Sequence, residues 1–229
     1  MPRIARVVVP GLPHHVTHRG NRRQRTFFCD EDYRAYLQLM GQRCACCGVE
    51  IWAYCLMPNH VHLIAVPEAE DSLRSAIGEA NRRYAQRVND RQGWRGHLWQ
   101  ERFASFPMDE NHLLAAVRHV ELNPVRARLA SDAESYPWSS AAAHMAGRGD
   151  GVVNVAPLVE IVEEWGDFLS CEPSDEELDA LRRHERTGRP LGGEGFVKGL
   201  EEAMGRLFSP RKRGRKRIRG DTPAGRAPN

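Results

Sequence analysis

The stretch that most constrains this chain is Met57-Pro58-Asn59-His60-Val61-His62-Leu63-Ile64-Ala65-Val66. Its period of two predicts a β-strand entered through a tight turn. His60, His62, Ile64 and Val66 then share one face, and Val61, Leu63 and Ala65 the other. The preceding run, Val49 to Leu56, alternates in the same way, with Val49, Ile51, Ala53 and Cys55 on one face and Trp52, Tyr54 and Leu56 on the other. Strands joined by so short a turn are antiparallel neighbours. Same-face residues on a strand lie about 6.5–7 Å apart at Cα, so both imidazoles are within reach of one metal ion. Two strand histidines satisfied by hydrogen bonds fit the spacing equally well, and the motif alone leaves both readings open.

The remaining elements follow from local signals. His14 to Arg19 alternates as a first strand and ends at the turn signal Gly20-Asn21. A helix begins near Asp30, its expected N-cap, carries Tyr33, Tyr36, Leu37 and Met40 as its apolar stripe, and stops at Gly48. Asp71-Ser72 caps a second helix with Leu73, Ile77, Ala80, Tyr84 and Val88 on one face. Leu98 to Met108 returns as an extended segment. A third helix, capped by Asp109 or Asn111, runs to about Asn123, where Pro124 ends it. Leu113, Val117 and Val120 form its buried stripe, and His112, Ala116, His119 and Asn123 a separate face. This order predicts a ferredoxin-like α/β (α+β) fold, an antiparallel sheet with helices packed on one face and His60 and His62 on a central strand. Gly147 to Gly151 reads as a linker, with amphipathic helices over Val155 to Leu169, Ser174 to Arg186 and Phe196 to Leu207. The expected division is a domain over 1–146, a linker over 147–154, a helical extension over 155–208 and a basic tail without fixed structure over 209–229.

Charge is segregated along the chain. Residues 1–150 hold 19 Arg against 16 acids, 151–210 hold 6 basic against 13 acidic residues, and 211–229 hold 8 against 1. The tail, with Arg211, Lys212 and Arg213 at its start, suits a polyanion, or is a solvated extension with no single partner. Arg19, Arg22, Arg23 and Arg25 make a second basic cluster. No lysine precedes Lys198; that bias is ascribed to codon usage, so arginine in place of lysine carries no weight as phosphate-specific design. Cys44-x-x-Cys47 has zinc spacing, but no second pair follows, and reduced thiols are the expected state. No apolar run approaches the roughly 18 residues of a membrane span, and no apolar leader follows the early arginines, which makes a cytoplasmic location the expectation.

Several segments together resemble one family, the REP-associated tyrosine transposases, a branch of the single-tyrosine HUH transposases. They are Pro13 to Asn21, Met57 to His62, Asn81-Arg82-Arg83-Tyr84, Trp99-Gln100-Glu101-Arg102-Phe103, Glu121 to Arg126 and Trp138-Ser139-Ser140. These blocks lie in the family's order across about residues 3–146, and Thr187 to Gly192 with Phe196-Val197 resembles a subgroup's C-terminal extension. The resemblance implies a single-strand endonuclease and strand transferase acting on hairpin-forming repeat DNA in transposition and recombination. It implies His60 and His62 as ligands of Mg²⁺ or Mn²⁺, with Asn123 as third ligand; Asn123 also fits as a helix-end residue bonding its own backbone. The family's nucleophilic tyrosine lies four residues before that asparagine, where this chain has His119. His119 is then either a substitute nucleophile or the mark of a cleavage-deficient hairpin-binding protein. Tyr84 sits on an apolar stripe and reads as core. Arg19, Asn21, Arg22 and Arg23 resemble the family's DNA-contacting loop. Arg82, Arg83, Arg102 and Arg126 are candidates for backbone contacts, and Trp94 or Trp99 either stacks on an unpaired base or packs in the core. Relatives include homodimers with shared sites and apparent monomers.

Overall fold

The computed structural model of the chain describes residues 5–208; the tail with Arg211, Lys212 and Arg213 lies outside the described residues. The strands are β1 (His14–Arg19), β2 (Val49–Met57), β3 (His60–Pro67) and β4 (Ala104–Pro107). They form one fully antiparallel sheet in the order β2-β3-β1-β4, so β3 is central, as the alternation predicts.

On one face of the sheet, Val16, Leu56, Val61, Leu63 and Ala65 pack against α1 (Asp30–Cys46) and α2 (Glu79–Gln92). Tyr36, Met40, Leu73, Ile77, Tyr84 and Val88, all fully or almost fully buried, supply the helical half of that core. The opposite face carries Ala53, Cys55, Met57, Ile64 and Phe106 and packs on α3 (Glu110–Glu121) through Leu113, Val117 and Val120. Helices therefore cover both faces; the one-face expectation holds only for α1 and α2. The sheet alternates apolar and histidine-bearing positions on that second side, and an apolar stripe such as that of α3 needs such a surface to bury against.

Three boundaries differ from expectation for physical reasons. Ile51 pairs with Ala65 and Ala53 with Ile64, so Trp52 is an extra residue at a β-bulge. The bulge reverses the pleat: Val49 and Ile51 join the α1/α2 core, whereas Ala53 and Cys55 face α3. The N-cap of α1 is Cys29, and it is the buried Asp32 that accepts from the Phe28 N–H at 2.9 Å while paired with Arg91. Pro124 does not simply end α3. A new turn, α4 (Asn123–Arg126), starts there with the proline in its first turn, where a missing N–H costs nothing. Asp109, of the two expected caps, caps α3 by accepting from the His112 N–H.

Beyond α5 (Ala141–Met145), the chain runs along the β2 edge, where Val153 and Val155 join the α1/α2 core before the following helices reach the second face. Val153 forms a parallel bridge with Ile51, and the Tyr54 hydroxyl donates to Asp150. The single helix expected over Val155 to Leu169 is two short ones, α6 (Ala156–Val159), with a proline in its first turn, and α7 (Trp165–Ser170). They are followed by α8 (Asp175–Thr187), opened by a Ser174/Glu177 capping box, and α9 (Glu194–Met204). Leu158, Trp165 and Leu181 bury against the α3 side.

Candidate metal and nucleic-acid site

The register carries the site. Thr17 stands opposite His62 and Arg19 opposite His60 across the β1–β3 ladder, while His15 is two residues further along the same face. α3 brings His119 over that face. The His60 and His62 rings lie 4.9 Å apart, His62 and His119 5.4 Å, and His15 and His119 6.0 Å. Four imidazoles thus meet in one place, three from the sheet and one from a helix.

His60 and His62 are each oriented through Nδ1. His60 Nδ1–H donates to Asn59 Oδ1 at 2.6 Å, and the Asn59 amide donates in turn to the Arg23 carbonyl at 3.1 Å. His62 Nδ1 is hydrogen-bonded to His15 Nε2 at 3.0 Å. Both contacts leave Nε2 free. This is how metal-ligating histidines are held, with one nitrogen fixed by an outer partner and the other presented to the ion. Burial, with Arg19 and His119 adding to it, holds His60 down to about 3, and burial holds His62 well below the ordinary imidazole value. His15 is held at about 3, by burial first and His119 second. At neutral pH these rings carry no charge, the form a cation binds.

Two imidazoles are short of a complete coordination sphere. Among the described residues no group of three or more His, Cys, Asp or Glu is arranged to hold a metal ion. Asn123 is half-buried at the first position of α4, and its side chain makes no hydrogen bond among the described residues. Two neutral imidazoles, with the Asn123 amide as a further candidate donor, are a set that can hold a borderline divalent ion drawing its remaining ligands from water and phosphate oxygens. The imidazole nitrogens suit Mn²⁺ on softness grounds, and oxygen ligands from water and phosphate suit Mg²⁺.

His119 is set up differently. Its Nδ1 accepts from the Arg126 guanidinium at 3.3 Å, which puts the ring proton on Nε2. Burial, Arg126 and Arg182 hold it down to about 4. His112, on the same helix face, is turned away to Asp109, the cap of its own helix.

The loop after β1 is built for close approach. A Cβ at Gly20 would come within 2.3 Å of the Gln24 carbonyl oxygen, so only glycine fits. Arg22 and Arg23 both have positive φ, at 54° and 60°, a left-handed backbone that costs non-glycine residues about 1 kcal/mol or more each. Asn59 holds this loop against β3, linking the arginines to His60.

The model of the family described as "Transposase IS200 like" matches residues 8–123, just over half of the chain. The chain belongs to the IS200-like transposase family. Among solved structures it is similar to a REP-associated tyrosine transposase bound to a REP hairpin, with a TM-score of 0.54 and 21% identity over 68% of this chain and 90% of that one. A second similar structure, assigned as a transposase from Deinococcus radiodurans R1, has a TM-score of 0.37 and 20% identity over 56% of this chain and 92% of that one. A comparison with curated protein sequences finds no match. The family gives the chain a transposase-type, DNA-binding function, and no helix among the described residues is long and apolar enough to cross a membrane.

Within this transposase-family fold the other expected contact residues separate into groups. Arg19, Arg23 and Arg102 line a cleft of about 850 Å³ beside β1, and Arg126 sits on His119. Asn21 and Arg22 lie on the loop between, with the Asn21 N–H bonded to the Leu98 carbonyl. Arg82 and Arg83 are instead both bonded to Glu79 on their own helix. Trp99 is core: it is 6% exposed, stacks on His18 at 4.7 Å and donates to the Asn81 carbonyl. Trp94 is 44% exposed. Tyr84 is buried, with its hydroxyl on the Thr26 carbonyl. Sequence reasoning missed His15 and Asn59. The signals for them were present, a histidine two positions before Thr17 and an asparagine directly before His60, but only strand register shows what they touch.

Proposed function

We propose that this protein binds single-stranded, hairpin-forming repeat DNA, as REP-associated tyrosine transposases do, and seats one of its phosphates against a divalent cation held by His60, His62 and Asn123. The observation that supports this most directly is the pair of Nδ1 contacts, from Asn59 and from His15, that leave two neutral Nε2 atoms side by side. When bound, Mg²⁺ or Mn²⁺ supplies a Lewis acid that polarises the phosphoryl group and steadies the leaving 3′ oxygen. Arg19, Arg22 and Arg23 hold the flanking backbone. Such phosphate contacts fix register without reading sequence.

In the family a tyrosine attacks and leaves a 5′-phosphotyrosine. Here His119 stands at that position. Attack by an imidazole needs an unshared pair, and the one on His119 is engaged by Arg126. The reading best supported is therefore a hairpin-binding protein whose strand cleavage is suppressed. The second reading, metal-dependent cleavage and transfer through a His119–phosphoryl intermediate, requires Arg126 to leave Nδ1. The bond formed is then P–N and the bond broken is P–O3′.

A labelled repeat hairpin with Mn²⁺, followed by a denaturing gel, separates them. The expected outcome is binding without a covalent band for the natural protein and a band for His119→Tyr that disappears when His60 and His62 are also replaced. A wild-type adduct mapped to His119 establishes the second reading. Scission to free ends without any adduct makes the protein an ordinary metal-dependent phosphoesterase, and an adduct indifferent to both histidines removes the metal pair from the mechanism.

A further inference from the structure

The cleft beside β1 has two walls of different origin. One is the family core: Arg19 and Arg23, with Arg102 from the segment before β4. The other is α8, which presents Arg182, Arg183 and Arg186 to the same space and lies wholly beyond the residues the family model covers. The cleft also contains Glu101, Asp179 and Glu185; Asp179 pairs with Arg182 at 3.1 Å and Glu185 accepts from the Thr17 hydroxyl at 2.9 Å. Arg183 and Arg186 make no ion pair with a described residue. A helix from a segment that is acidic overall, 13 acids to 6 bases over residues 151–210, thus turns basic side chains toward the cleft. The cleft borders the histidine site through its cross-strand neighbours. Thr17 and Arg19 line it and stand directly across the ladder from His62 and His60, and cross-strand side chains are about 5 Å apart. Arg182 is near enough to His119 to lower its proton affinity.

We infer that α8 is the second wall of a single-strand track, holding through Arg183 and Arg186 the phosphates of the unpaired DNA that leads into the histidine site. Guanidinium groups on both sides of a cleft suit a strand whose backbone runs along it. Glu185 on Thr17 anchors α8 to β1, which fixes the width of the track. The inference rests on the DNA-binding reading above and extends it to a part of the chain outside the family's own domain.

The test uses the full chain in metal-free buffer, with fluorescence anisotropy on two probes: a DNA hairpin carrying a short single-stranded extension and the same hairpin blunt. Arg183→Gln/Arg186→Gln is compared with wild type and with Arg34→Gln/Arg148→Gln, which removes equal charge elsewhere. The α8 variant is expected to bind the extended hairpin about tenfold more weakly, with the slope of log K against log salt reduced by about 1.4, or 0.7 for each lost strand contact. The blunt hairpin and the control variant should be unaffected. Wild-type affinity and slope in the α8 variant overturn the inference while leaving DNA binding intact. Tighter binding also overturns it and makes α8 a mask over the cleft. A wild-type protein that binds neither probe removes the DNA reading and this inference together.

Discussion

Two buried imidazole centres lie on the α3 side of the sheet, and they are built on opposite plans. At the C-terminal end of α3 the fully buried Glu121 accepts from Ser140 Oγ, from His144 Nδ1 at 2.7 Å and from Trp165 Nε1 at 2.9 Å, with the His144 ring stacked on Trp165 at 4.1 Å. That centre ties α5 and α7 to α3, and through Ser140 to the Tyr54 backbone of β2. The second centre is His15, His60, His62 and His119, packed with ring centroids 4.9 to 6.0 Å apart, where among the described residues no carboxylate is in contact with the rings. A carboxylate surrounded by donors is a closed structural unit. Neutral imidazoles pressed together without a counter-charge gain little from one another, and such an arrangement makes sense where a cation and an anionic substrate complete it. The difference shows why a histidine count alone does not mark a site: His144 is as buried as His62, and only the identity of its partner separates them.

Acid should break this contrast most strongly. His15 and His60 are held at about 3 and His119 at about 4 when folded, against 6.5 for a free imidazole; His14 and His18 are also held at about 4. Below pH 6.5 the unfolded chain takes up protons that the folded one refuses. The stability these groups contribute is therefore complete above pH 6.5 and is lost as pH falls toward 4 and 3. Each such imidazole costs about 1.4 kcal/mol per pH unit in that window, about 2 kcal/mol between pH 7 and 5, so for the five together acidification over that range should remove on the order of 10 kcal/mol from the metal-free protein. Urea unfolding across that range reads it directly. A flat stability curve would mean the rings are not desolvated as described.

Glu121→Ala comes next. It leaves two nitrogen donors and a hydroxyl buried without their acceptor, and removing one partner of a buried charged network costs about 3–5 kcal/mol. For a chain of this size each kcal/mol shifts Tm by about 2–4 °C, so a fall of about 10 °C is expected by calorimetry. His60→Ala should cost much less, because among the described residues its one hydrogen-bond partner is the half-buried Asn59. Equal losses from the two variants would erase the distinction between a structural and a functional centre.

Much of this was legible in the sequence, and the reasons for the rest are specific. Alternation over residues 57–66 placed His60 and His62 on one face of a central strand, and helical spacing placed Tyr84 in the core. The bulge at Trp52 was not legible, since an extra residue looks the same as a regular one until its partner strand is known. His15 was hidden for a related reason: the β1–β3 register, a pairing of residues far apart in sequence, is what sets it against His62. The α8 wall depends on where a helix about 165 residues downstream comes to rest against Thr17, which no local pattern encodes.

The metal pair offers a sharper test of smaller size. A cation bound only by the folded state at ten times its Kd adds about 1.4 kcal/mol. Mn²⁺ should thus raise the wild-type Tm by a few degrees, and His60→Ala should abolish the rise while leaving the metal-free Tm nearly unchanged; His62→Ala should abolish it too, from a metal-free Tm lowered by loss of the buried contact to His15. Glu121 variants, though destabilised, should keep it. A rise that survives loss of either histidine would place the ion elsewhere and return His60 and His62 to the class of His144.

The smallest effect is expected where charge is present but already engaged. Arg82 Nε bonds Glu79 Oε2 at 2.7 Å, and Arg83 Nε bonds Glu79 Oε1 at 2.8 Å, so one carboxylate serves both guanidiniums on the exposed side of α2. Arg22 and Arg23 have no such partner among the described residues, and the Arg23 carbonyl is tied to Asn59, the partner of His60. A phosphate reaching Arg82 or Arg83 has to displace an intramolecular acceptor; at Arg22 or Arg23 it displaces only water. Arg82→Gln and Arg83→Gln should accordingly change hairpin affinity by no more than about twofold and leave the salt slope unaltered. Arg22→Gln/Arg23→Gln should lower that slope by roughly one or more. If the α2 pair proves as costly as the loop pair, Glu79 yields its arginines to DNA, and the strand crosses the α1/α2 side of the sheet as well as the histidine face.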